Sequence, residues 1–133
     1  MPDKAAVVRN ASKPFAGRRI LIVEDEYFLA DDLANEFARQ GADIIGPLSE
    51  IADAIDLLNS GSQLDAALLD INVRNAQIFP LADALRERNV PFVFTTGYHK
   101  DWIRPEFADV PLYEKPLDLP AVVGCLAELM HRR

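Results

Sequence analysis

One cysteine, Cys125, is all that this chain of 133 residues contains, so no internal disulfide can staple it. That count suits a reducing, cytoplasmic compartment. No apolar run approaches the ~20 residues needed to span a bilayer, and the first sixteen residues lack the continuous apolar core of a secretory signal. Basic residues are scarce, 14 Lys and Arg against 21 Asp and Glu, for a formal net charge of −7. They are scattered apart from Arg18-Arg19, Arg132-Arg133 and the looser Arg86 and Arg88. No basic stripe exists to replace counterions along a phosphate backbone, which argues against a nucleic-acid partner. The two histidines, His99 and His131, have no metal-ligand spacing around them and are expected to be exposed. The expectation is therefore a cytoplasmic protein with no nucleic-acid or membrane partner. Half of its residues are hydrophobic and 26% are charged, ordinary globular composition. The length predicts one domain, spanning residues 17 to 133 behind a flexible N-terminal tail of residues 1 to 16.

Short branched apolar runs alternate with helical periodicity. "RILIV" (19 to 23) reads as a strand buried on both faces. From residue 27 to 40 Leu29, Leu33 and Phe37 recur every four, and Gly41 stops the helix. "DIIGP" (43 to 47) is a second strand, followed by a helix with Ser49 as its expected cap and Gly61 as its stop. "LDAALLD" (64 to 70) is a third strand, then comes a loop, then a helix with Pro80 in its first turn. "PFVFTT" (91 to 96) and "PLYE" (111 to 114) are strands four and five, and Asp118 caps a last helix. The segment from 98 to 110 is short for a full fourth helix, and Pro105 would interrupt one. This alternation predicts an α/β fold, a doubly wound five-stranded parallel sheet with flanking helices.

In such sheets ligands bind beyond the carboxyl ends of the strands. The residues found there are Glu24 and Asp25 after strand one, Asp70 ending strand three, Thr95 and Thr96 ending strand four, and Lys115 and Pro116 after strand five. Carboxylates brought within a few ångström repel, so raised pKa values or a bound cation must relieve them. A hard divalent ion such as Mg²⁺ suits an all-oxygen set. Glu26, one residue past the pair, also fits the first turn of a helix, and Thr95 fits a plain strand position. Cys125 reads as a small core residue.

"LIVEDE", "LLDIN", "FTTGY" and "YEKP", in this order on these elements, resemble the receiver domain of two-component response regulators. The likeness runs from about Arg18 to Met130. It implies a flavodoxin-like or CheY-like fold and a bacterial signalling role. Asp70 would be the phosphoacceptor, supplied by a sensor histidine kinase or a histidine phosphotransfer protein, and a downstream protein target would read the result. Glu24 and Asp25 would hold Mg²⁺ together with Asp70 and the backbone carbonyl of Asn72. Thr96 would bond one phosphoryl oxygen and Lys115 another. The chain would be a stand-alone regulator and not an enzyme in its own right, beyond catalysing its own phosphoryl transfer.

One departure stands out. Receivers usually carry an aromatic three residues before the lysine, where this chain has Leu112, with Tyr113 displaced by one. "FTTGY" in turn resembles the Phe-Ala-Thr-Gly-Tyr motif of a receiver subgroup that lacks that aromatic. The motif selects Thr96 over Thr95 as switch residue, and implies that Tyr98, beyond the flexible Gly97, takes over the switching role. Two other functions match parts of the pattern. A Mg²⁺-dependent phosphatase with an aspartyl-phosphate intermediate wants an acid two residues after its nucleophile, where this chain has Asn72. An unphosphorylated pseudo-receiver scaffold has no need of the complete acid, Asp, Thr and Lys set.

Overall fold

The computed structural model describes residues 13–74, 76–97 and 103–132. Five parallel strands form the sheet: β1 (Arg19–Val23), β2 (Asp43–Leu48), β3 (Ala66–Asp70), β6 (Phe92–Thr96) and β7 (Leu112–Glu114), in the order β2-β1-β3-β6-β7. The helices are α1 (Tyr27–Arg39), α2 (Ile51–Asn59), α3 (Phe79–Glu87) and α4 (Leu119–His131). This is the predicted doubly wound arrangement. The three inner strands are apolar almost without break because helices cover both of their faces. Leu21, Val23, Leu69, Phe92 and Phe94 pack toward α2 and α3, while Ile20, Ile22, Leu68 and Val93 pack toward α1 and α4. No helix among the described residues is long and apolar enough to cross a membrane.

Several expected details hold. Gly41 and Gly61 follow α1 and α2 with φ of 94° and 89°, the left-handed geometry in which glycine ends helices. Pro80 lies in the first turn of α3, and the Asp118 carboxylate caps α4 by accepting from Ala121 N at 3.3 Å. Gly46 has a positional reason. At φ 102°, a Cβ would come 2.7 Å from Leu48 N and 2.9 Å from Ile22 O, so only glycine permits the bulge there. Past the bulge Leu48 pairs with Val23 and its carbonyl accepts from Glu24 N at 2.9 Å, which pins the backbone where the acids begin.

Other expectations need correction. Ser49 does not cap α2: the N-cap is Glu50, with no side-chain capping bond. The loop after Asp70 contains a small antiparallel hairpin, β4 (Asn72–Val73) and β5 (Ala76–Gln77), with strands too short to leave an alternation. Residues 13 to 16, expected in the tail, form a turn whose Phe15 is fully buried against Phe37, ring centroids 5.2 Å apart at 87°. The rest of the expected tail, residues 1–12, lies outside the described residues, as do Tyr98, His99 and Trp102. His131, at the end of α4, is exposed as expected.

Between β6 and β7 the described chain carries a 3-10 turn, Pro105–Phe107, in keeping with a short or irregular fourth helix. Arg86 of α3 donates to Glu106 O at 2.7 Å, and Arg104 pairs back to Asp83 of α3 at 2.9 Å. On β7, Leu112 is half exposed, while Tyr113 turns toward α4. There its hydroxyl meets the half-buried Cys125 thiol; that contact and burial push the phenol up to about 12. No aromatic of β7 therefore faces the side on which Leu112 lies.

Candidate functional site

The sheet order reverses between β1 and β3: β2 lies to one side of β1, and every later strand lies to the other. Glu24 and Asp25 leave β1 at that point, and Asp70 is the last residue of the neighbouring β3. Lys115 follows β7 and is held by its backbone N–H donating to Thr96 O at 2.8 Å. Each predicted strand-end residue thus arrives on one edge because parallel strands all end there.

Lys115 Nζ bridges two acids, 3.0 Å from Asp70 Oδ2 and 3.0 Å from Glu24 Oε1, with Glu26 Oε2 at 3.6 Å. Glu24 and Asp70 are buried, while Asp25 stays exposed. Backbone amides fix the carboxylates: Glu26 N donates to Glu24 Oε2 at 3.0 Å, Asn72 N to Asp70 Oδ1 at 3.1 Å, and Arg74 N to Asp25 Oδ2 at 2.9 Å. Burial pushes the Glu24 carboxyl up to about 7, against the Glu26 amide and with help from the Asp70 charge. For Lys115, burial opposes the charge, but the hydrogen bonds to Glu24 and Asp70 prevail and raise its pKa.

The acids are undercompensated. Glu24, Asp25 and Asp70 each offer an oxygen within 4.8 Å of the others, and among the described residues one ammonium serves the group. Glu24 Oε1 is buried, and although it lies near Lys115 Nζ no hydrogen bond from the described residues reaches it. A buried oxygen without a donor, among hard carboxylates, fits a divalent cation such as Mg²⁺.

Thr96 is buried at the end of β6, and Gly97 shares with Lys115 a groove of about 680 Å³ that also reaches Leu29 and Pro116. Thr95 is fully buried beside Asp70 in the strand register, with a hydroxyl that has no hydrogen-bond partner among the described residues. Two residues went unrecognised in the sequence. Glu26, for which the first turn of a helix is one of two readings, is the N-cap of α1 and lies 3.6 Å from the lysine. Arg74 carried no signal, since its contact with Asp25 is made through the backbone.

No family model matches the sequence, and no curated protein does. Solved structures do. The solution structure of SdrG from Sphingomonas melonis Fr1 is 35% identical, covers 86% of this chain and 97% of its own, and superposes with a TM-score of 0.75. SdrG in its BeF3-activated conformation is 36% identical, with 86% and 98% covered and a TM-score of 0.69. A response regulator receiver protein from Sinorhizobium medicae WSM419 shares the fold at 24% identity, 86% and 95% coverage and a TM-score of 0.75. With the sheet order, the strand-end acids and the identity to SdrG in agreement, this chain belongs to the receiver-domain family of response regulators.

Proposed function

We propose that the protein is a phosphorylation-controlled signalling module in which Asp70 accepts a phosphoryl group from a phosphohistidine. The donor is a sensor histidine kinase or a histidine phosphotransfer protein, and the output is a changed surface read by another protein. One observation carries this: the Asp70 carboxylate, an ammonium 3.0 Å away and two further carboxylates cluster at the sheet's edge.

In that chemistry an Asp70 oxygen attacks the phosphorus, the P–O bond forms, and the bond to the donor imidazole nitrogen breaks. The protein's work is positioning and charge neutralisation. The Asn72 amide on Oδ1 orients Asp70. Lys115, already on Oδ2, pairs with a phosphoryl oxygen, and the Thr96 hydroxyl donates to another. Mg²⁺ held by Glu24, Asp25, Asp70 and the Asn72 carbonyl would neutralise charge on the phosphoryl oxygens. Asn72 has no acidic proton for a leaving group, which favours a signalling protein over a phosphatase.

Tyr27 and Phe28, 76% and 81% exposed, follow directly after the acids, with ring centroids 5.3 Å apart. An apolar rim beside a charged site suits docking of a protein that carries the phosphohistidine. The BeF3-activated conformation of SdrG adds support, since beryllofluoride has the shape and charge of a phosphoryl group.

With acetyl phosphate and Mg²⁺, the protein is expected to gain one labile adduct of about 80 Da (one phosphoryl group). A chelator should suppress it. An unmodified mass, with acetyl phosphate and with a histidine-kinase donor alike, would refute the proposal.

A further inference from the structure

Arg74 lies four residues past Asp70, in the turn between β4 and β5. Its φ is 50°, in the left-handed region that residues other than glycine enter only under strain. Two sets of contacts hold it there. Its backbone N–H donates to Asp25 Oδ2 at 2.9 Å. Its side chain reaches away from the acids to the β2–α2 connection, where Nε donates to Ser49 O at 3.1 Å and lies 3.2 Å from Glu50 Oε1. One residue therefore ties three segments together: the hairpin after Asp70, the acid pair after β1, and the start of α2.

The consequence falls on Asp25, which is exposed. The amide of Arg74 takes one carboxylate oxygen and thereby aims the other. A cleft of about 390 Å³, bounded by Asp25, Tyr27, Asp31, Pro47 and Arg74, leaves that side open to solvent. We propose that Arg74 is a positioning residue. It holds Asp25 in the orientation that binds the divalent cation, and its guanidinium serves as the anchor that keeps the residue 74 amide in its left-handed conformation. This rests on the functional proposal above, and deepens it.

Two roles for the arginine predict opposite signs. If its positive charge acted on the site directly, removing it would tighten Mg²⁺ binding by relieving repulsion. If it acts as an anchor, removal weakens binding. Moreover, Arg74→Ala (no anchor, strained φ) must be worse than Arg74→Gly (no anchor, no strain). Calorimetric titration with Mg²⁺ alone, with no phosphodonor, separates these roles. The expected loss is about 10-fold in affinity for Arg74→Ala, within the range seen when groups that orient metal ligands are removed, with partial recovery in Arg74→Gly. The fold of each variant is checked by its melting temperature. Tighter binding in either variant, equal loss in both, or unchanged affinity overturns the proposal while leaving Asp70 phosphorylation intact. A wild-type protein that binds no Mg²⁺ overturns both.

Discussion

Asp70→Asn removes the phosphoryl adduct completely while leaving the protein folded. The amide that replaces the carboxylate is not a nucleophile, and no neighbour can substitute. Glu24 is buried, with its Oε2 held by the Glu26 amide and Lys115, and Asp25 stands on the exposed side of the cluster. The asparagine keeps the shape of the side chain and its carbonyl can still accept from the Asn72 N–H. It also removes one of three mutually repelling charges, so without metal the melting temperature should hold or rise. Intact mass after acetyl phosphate and Mg²⁺ provides the first measurement and thermal denaturation the second. A full adduct on the variant would place the acceptor elsewhere.

The second large effect is on stability. Phe107→Ala should cost about 3–5 kcal/mol, the usual range for removing a buried phenyl ring. Phe107 is 1% exposed and stacks on Phe79 at 5.8 Å and 8°, with Phe92 and Phe94 against it at 6.0 and 5.9 Å. The guanidiniums of Arg86 and Arg104 lie 4.8 and 5.1 Å from its centre, adding cation–π attraction. The ring therefore fixes the 3-10 segment to α3 where a longer helix would otherwise do so. Phe107→Leu keeps most of the volume and should cost clearly less. Urea denaturation measures both through the midpoint at unchanged slope. A loss under about 1 kcal/mol for the alanine variant would mean that the pocket collapses around the gap.

How much of this could be read in the sequence follows from what leaves a local pattern. β1, β3 and β6 were legible because an inner parallel strand must be apolar on both faces, and Asp70 and Lys115 because parallel strands deliver their ends to one edge. The hairpin after Asp70 was not: two-residue strands have no period. Phe15 was missed because a lone aromatic between Pro and Ala offers no repeat. Ser49 has the chemistry of a cap, yet its carbonyl serves Arg74 and the helix starts one residue later. Arg74 was invisible for a deeper reason. Its contact to Asp25 depends on a backbone angle and a main-chain N–H, and every residue except proline has that donor.

The most direct test is a crystal of the protein grown with beryllofluoride and Mn²⁺ in place of Mg²⁺. Beryllofluoride bonded through beryllium to an Asp70 oxygen, with Lys115 and Thr96 against its fluorines and an anomalous peak among Glu24, Asp25 and Asp70, is the predicted result. Beryllofluoride on any other side chain, or a manganese peak away from those three acids, would contradict it.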